Sequence, residues 1–277
     1  MFGKTKIKPR TPFKIDFKQS SGKKRKGHYM AKVKTKNSRQ IPGNISLEVW
    51  YRNELLKMLS KISKATEKEI LKVWKTNTPK MTLQAEQNAV NDSSPAVDLA
   101  AIIRRLKNYF DHYFYELEPK VARKFTERAK QSATVSLKNI LKEEGFTVNF
   151  HLTRQMNDIL QATIAENVGL IKSIHTAYFE QVQTIVMQAV KNGRDMNYIR
   201  QELVDRFRVS ERKAKIIARD QTNKAMQSIS RARSLEAGIQ EATWVHIPGA
   251  KMSRETHKRF DGKKFDLNKG MYDPDVN

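Results

Sequence analysis

The 277 residues include no cysteine, which excludes disulfides and thiolate metal ligands and fits a protein made and used without oxidative stapling. Nothing apolar approaches the roughly 20 residues that a membrane-spanning helix needs, and the N-terminal MFGKTKIKPRTPFKID lacks the apolar core of a secretory signal. Common signatures of chemistry are missing as well: there is no GxGxxG, GxxxxGK[ST], HExxH or GxSxG. Their absence removes any positive argument for an enzyme or for a bound cofactor. Acidic residues are scarce, 29 Asp and Glu against 53 Lys and Arg, and the formal charge of +24 exceeds what solubility requires. Such a surface attracts polyanions, with nucleic acid the first candidate and an anionic membrane a distant second. The length allows one large domain or two smaller ones with a real core.

The positive charge is unevenly placed. Residues 1–40 carry Lys4, Lys6, Lys8, Arg10, Lys14, Lys18, Lys23, Lys24, Arg25, Lys26, Lys32, Lys34, Lys36 and Arg39 against Asp16 alone, more than half the excess of the whole chain. A segment this charged and this poor in apolar residues buries too little surface to offset its ordering entropy, so a basic extended or disordered arm is expected. Phosphate contact is the functional reading, with Phe13, Phe17 and Tyr29 free to dock on a partner; a merely solubilising terminus is the plain alternative.

Beyond the arm the pattern is helical. Leu47, Trp50, Tyr51, Leu55, Met58, Leu59, Ile62, Ile70, Leu71 and Trp74 trace one face, with a break expected near Ser63 to Thr66. Ser93, Ser94 and Pro95 read as a helix start, and Val97, Leu99, Ile102, Ile103, Leu106, Phe110, Tyr113, Phe114 and Leu117 give the next face. Pro119 is expected to restart the helix, which ends at Gly145. Periodicity returns from Leu152 to Asn192 and again from Asp195 to Phe207. The last segment opens with Ser210 as a cap, carries Ala214, Ile217, Ala218, Gln221, Ala225, Ile229, Ala232 and Leu235 along one stripe, and stops at Gly238. A short alternating run at Ala242 to Ile247 and a second from Lys263 to Leu267 suggest a small hairpin. The fold class expected is mainly α: an elongated helical body, a small C-terminal α+β module and the basic arm. Four consecutive parts follow, the arm at 1–40, helical regions at 41–150 and 151–209, and the module at 210–277.

Four pieces of that last part occur in a familiar order: IARDQTNK at Ile217–Lys224, RARSLEAGI at Arg231–Ile239, the strand around Trp244, and His257 followed by DGKKF at Asp261–Phe265. Together they resemble the phage head morphogenesis proteins, the Mu F-like minor capsid proteins of tailed phages. AENVGLIKSIHTAYFEQVQTIV at Ala165–Val186 is similar to the segment preceding this module in such proteins, and the likeness fades before about Phe150. Many members carry a cysteine pair near the end of the module. This chain has none, so a metal site inferred from those relatives has no residues to rest on. The resemblance implies a non-enzymatic protein built into the procapsid, associated with the portal protein and with capsid or scaffold proteins. It would lie inside the head near the portal, contact packaged double-stranded DNA and aid head morphogenesis, DNA packaging or ejection.

Individual residues carry weaker signals. Asp220, Gln221 and Thr222 interrupt the apolar stripe, either as a buried network against the Trp244 hairpin or around a catalytic carboxylate; a lone Asp without a second carboxylate or His at helical spacing favours the network. His246, His257 and Asp261 fall short of a four-ligand zinc site, and Asp261 with Gly262 reads as turn chemistry. Arg212, Lys213, Lys215, Arg219, Lys224, Arg231 and Arg233 decorate the long helix; Arg212, Lys215 and Arg219 share one face as a phosphate-tracking row, and the rival reading of these bases is the solvated face that any surface helix carries opposite its apolar stripe. No base-reading motif is recognisable, so binding would be non-specific and salt-sensitive. The alternative function is a free non-specific DNA-binding protein with the module as its dimerisation unit. An enzyme of the kind that carries a toxin-like extension is a third class, for which no sequence beyond the module is in hand.

Overall fold

The computed structural model describes residues 13–16, 43–76, 94–245 and 255–270, with the side chains of 13–16, 256 and 257 outside the description. Four long helices dominate: α1 (Ile45–Thr76), α2 (Pro95–Glu143), α3 (Arg154–Lys191) and α4 (Met196–Glu236). A short helix α5 (Glu255–Arg259) and three strands, β1 (Phe13–Asp16), β2 (Glu241–Trp244) and β3 (Lys264–Asp266), complete the set. The fold is mainly α with a small α+β module at the C-terminal end, as expected.

Local chemistry sets the helix ends. Asn44 Oδ1, Thr153 Oγ1 and Asp195 Oδ1 accept hydrogen bonds from the Leu47, Met156 and Tyr198 amides at 2.8, 3.1 and 2.8 Å, capping α1, α3 and α4. At the other end of α4 the Gly238 amide donates to Leu235 O and the Ile239 amide to Ser234 O. The paired bonds require a left-handed residue between them, which Gly238 supplies with φ of 82°. The ends of α2 and α3 repeat this arrangement.

Three expected interruptions are absent. Helix α1 runs unbroken through Ser63 to Thr66. Pro119 lies inside α2 and costs it the bond to the Tyr115 carbonyl, yet the helix continues. The buried stripe Phe110, Phe114, Glu118, Ala122 and Phe125 keeps its register through the proline, so breaking the helix would forfeit more burial than one bond restores. Ser210 caps nothing: it is buried in the middle of α4, which begins at Met196.

The chain divides into two compact units built from non-contiguous segments. The helical unit comprises Glu48–Phe125 and Thr163–Gln221. Its core joins Tyr51, Leu55, Leu59, Ile62, Ile70 and Trp74 of α1 to Phe110 and Phe114 of α2, Tyr178 and Phe179 of α3 and Ile199 and Ala218 of α4. Phe110 stands 5.7 Å from Phe114 and 5.9 Å from Phe179, and Tyr51 stacks on Phe125 at 4.3 Å.

The sheet unit comprises Met1–Leu47, Thr126–Ala162 and Thr222–Asn277. Its sheet is antiparallel in the order β1-β2-β3, with Phe13 opposite Trp244, Ile15 opposite Ala242, and Ala242 opposite Phe265. Two features differ from the hairpin expected. A third strand comes from the arm, because the alternating Phe13-Lys14-Ile15-Asp16 offers β2 a pairing edge; the phenylalanine expected to meet a partner is a sheet residue. The Asp261-Gly262 turn, moreover, joins α5 to β3 instead of joining two strands. The Gly262 amide donates to Trp244 O, and the Trp244 amide to Lys263 O, both at 2.9 Å.

Candidate functional site

Of the bases on the arm, Lys14 falls in β1 with its side chain undescribed, and Lys4, Lys6, Lys8, Arg10, Lys18, Lys23, Lys24, Arg25, Lys26, Lys32, Lys34, Lys36 and Arg39 lie outside the described residues. Arg212, Lys215 and Arg219 are exposed on α4, where Glu211 pairs with Lys215 at 2.7 Å and blunts the row. His257 is in α5, its side chain undescribed, and His246 lies outside the described residues. Trp244 meets Phe260 and Phe265 edge-on at 6.4 and 6.5 Å, so the strand, the turn and β3 share one aromatic contact.

The polar trio on α4 separates. Asp220 is exposed and Thr222 is buried in the sheet unit, while Gln221 faces α3 in the helical unit. Gln221 Nε2 donates to Glu166 Oε1 at 2.8 Å, and its Oε1 accepts from Asn167 Nδ2 at 3.1 Å. Asn167 also donates to Thr163 O at 2.8 Å and accepts the Tyr51 hydroxyl at 2.7 Å. Burial, reinforced by Glu166, holds the Tyr51 hydroxyl well above the ordinary tyrosine range, so it stays a donor. The network expected against the Trp244 hairpin thus ties α4 to α3 and α1 instead. The reason is geometric: Gln221 sits on the face of α4 that carries Ala214 and Ala218 into the helical core.

Two arginines of RARSLEAGI, Arg231 and Arg233, are anchors and not the solvated bases expected. Arg231 Nε donates to Leu267 O and its Nη2 to Asn268 O at 2.8 Å, fastening α4 to the chain leaving β3. Arg233 is buried; its Nη1 donates to His151 O at 2.6 Å and to Glu236 Oε2 at 2.5 Å, and its Nε to Thr134 Oγ1 at 3.3 Å. Its guanidinium also lies 5.1 Å from the centre of the Phe150 ring. Glu236 closes the circuit by accepting the His151 amide at 2.7 Å. A fork of five donors suits this task; a lysine has no such geometry. The sequence places Arg233 beside the apolar stripe, next to Ala232, but nothing in that pattern distinguishes a carbonyl opposite it from water.

A buried acid and histidine in the helical unit carry no signature that the sequence alone would single out. Glu118 Oε1 lies 3.4 Å from His175 Nε2, and Asp111 Oδ1 lies 3.9 Å from the same nitrogen. Both Glu118 and His175 are about 5% exposed or less. Burial lifts the Glu118 carboxyl to about 7 against the opposing pull of Lys172, and burial lowers the His175 imidazole to about 4 despite Asp111. Between those values the pair is uncharged, a carboxylic acid beside a neutral imidazole rather than an ion pair. The one hint in the sequence is position: Glu118 stands four residues from both Phe114 and Ala122 on the buried stripe.

The pair predicts a pH signature. The folded value for Glu118 exceeds its unfolded value of 4.5, so the native state keeps a proton that the unfolded chain has released, and this group's contribution to stability falls as pH rises from about 4.5 to 7. The folded value for His175 lies below its unfolded value of 6.5, so its contribution falls as pH drops from about 6.5 to 4. Glu118→Gln removes the first slope. The variant should match the wild type near pH 4.5 and exceed its stability by about 2–3 kcal/mol at pH 8. Urea melts of both proteins across that range check this; an offset independent of pH would refute it.

The fold is that of a helical protein whose last long helix is tied by Arg231 to the chain leaving a three-stranded sheet and by Arg233 to the link that precedes α3. Residues 180–275, which carry α4 and the last two strands, match the family described as Phage Mu protein F like protein. The match starts within α3, upstream of IARDQTNK. An uncharacterised protein of Haemophilus influenzae is 27% identical over 243 residues, 85% of this chain and 51% of its own length, so the chain spans about half the length of that relative. No solved structure matches. Among the described residues no helix is long and apolar enough to cross a membrane, and no group of three or more His, Cys, Asp or Glu could hold a metal ion.

Proposed function

We propose that this chain is a minor head protein of a tailed phage, associated with the portal inside the head, where it aids head morphogenesis and DNA packaging or ejection without enzymatic activity. The family match over residues 180–275 carries this reading. The charge agrees with it: a chain of +24 whose excess is concentrated in residues 1–40 suits a compartment crowded with phosphates. Contacts with DNA in this reading are non-specific, made to the backbone and weakened by salt. Portal, capsid or scaffold proteins are its protein partners.

The test is the composition of particles. Mass spectrometry of purified procapsids and mature heads of the phage that encodes the chain is expected to find it in low copy number, and the purified protein is expected to co-sediment with portal. Recovery on DNA from lysate, with none in either kind of head, would overturn the proposal in favour of a free DNA-binding protein.

A further inference from the structure

Helix α1 has a face that the function described so far does not use. Lys57, Lys61, Lys64, Lys68, Lys72 and Lys75 are all exposed and follow one another at intervals of three or four residues. At 100° per residue they fall within an arc of about 80°, and at 1.5 Å per residue they span about 27 Å. The opposite side of the helix is the buried stripe of Tyr51, Leu55, Leu59, Ile62, Ile70 and Trp74. The six lysines therefore form a straight ridge on the solvent side of the helical unit.

The acids of α1 leave the ridge uncompensated beyond its first lysine. Glu67 approaches Arg200 of α4 at 3.7 Å and Glu69 approaches Arg105 of α2 at 3.3 Å, both turned toward neighbouring helices. Lys57 pairs with Glu54 at 3.0 Å, and Lys61 lies 3.7 Å from the centre of the Tyr113 ring. Among the described residues no carboxylate lies within ion-pair distance of Lys64, Lys68, Lys72 or Lys75. At its N-terminal end the ridge borders an open groove of about 660 Å³ lined by Asn53, Leu56, Ser60 and three of the lysines.

We propose that the α1 ridge is a seat for the phosphate backbone of duplex DNA, separate from the arm. The inference rests on the reading that the protein meets packaged DNA, and it adds where on the folded body that contact falls. Two features select this partner. A single sign of charge repeated along a straight line matches a polymer with one negative charge per about 1.7 Å of axis, whereas a protein surface presents charges of both signs. A helix that lies on a membrane would need apolar residues beside its lysines, and the apolar face of α1 is already buried in the core.

The experiment uses the full chain, a duplex of arbitrary sequence and vesicles of anionic lipid. Affinity for the duplex is measured from 50 to 200 mM salt for the wild type, for a variant with Lys64→Gln, Lys68→Gln and Lys72→Gln, and for a charge-matched variant with Arg212→Gln, Lys215→Gln and Arg219→Gln. All six positions are exposed, and circular dichroism melts verify that each variant folds as the wild type does. The expected result is a log-log salt slope shallower by about 2–3 for the α1 variant, at about 0.9 for each phosphate no longer neutralised, with a change below about 1 for the α4 variant. Equal effects of the two variants, no effect of the α1 variant, or loss of vesicle binding alone would overturn the ridge as a DNA seat. A wild-type protein that does not bind the duplex at all would instead sink the DNA reading of the whole chain, so the two failures are distinguishable.

Discussion

Arg233→Met should destabilise the sheet unit by about 3–5 kcal/mol, the cost of breaking a buried ion pair by removing one partner. The substitution keeps an unbranched apolar stem, so the loss falls on the charged end. Three acceptors are stranded together: His151 O, Glu236 Oε2 and Thr134 Oγ1. The Glu236 carboxylate, at 15% side-chain exposure, is left with the His151 amide as a remaining partner away from bulk water. Arg233→Lys keeps the charge but cannot reach three directions with one ammonium, so it should recover only part of the loss. Glu236→Gln, which keeps a hydrogen-bonding oxygen, should cost less than Arg233→Met. Urea melts of the four proteins decide the matter. A loss below about 1 kcal/mol for Arg233→Met would mean that the guanidinium is not holding the 150–151 link and α4 together.

Arg231 and Arg233 also mark how far the chain could be read without a structure. The apolar stripe of α4 was legible because Ala214, Ile217, Ala218, Ala225, Ile229 and Ala232 repeat with the helical period, and burial follows that period. Arginines beside such a stripe look the same whether they face water or a carbonyl, since periodicity reports the angle around the helix and not what stands opposite. Glu118 is the converse: its angle was right for burial, but its residue type argued for the surface. Only the tertiary contact with His175 gives a buried carboxyl a neighbour. Pro119 and Ser210 were misleading for a third reason. Both are strong local signals, and in each case the burial of a stripe that runs through the position outweighs the local preference. Strand β1 needs a partner more than two hundred residues away, which no local pattern in a basic arm discloses.

The placement of β1 changes how the arm must be tested. Deleting residues 1–40 would remove the strand paired with β2 and expose a sheet edge, confusing a loss of charge with a loss of structure. Neutralising Lys18, Lys23, Lys24, Arg25, Lys26, Lys32, Lys34, Lys36 and Arg39 with Gln leaves Phe13–Asp16 intact and removes nine positive charges from between β1 and α1. If those side chains sit on phosphates, each contact releases counterions, and six to ten contacts correspond to an affinity that falls by about 10³–10⁵ between 50 and 200 mM salt. The wild type should show a salt dependence of this order on a duplex of arbitrary sequence. The variant should bind at least about 100-fold more weakly at 50 mM, with a salt slope shallower by several units, while its melting curve stays that of the wild type. Counterion release ties the two losses together, so a variant that binds weakly yet keeps the full slope would point to a partner contact and not to phosphate. An unchanged affinity and slope would mean that the arm's charge is spent on a protein surface, and that whatever DNA contact the molecule makes belongs to its folded body.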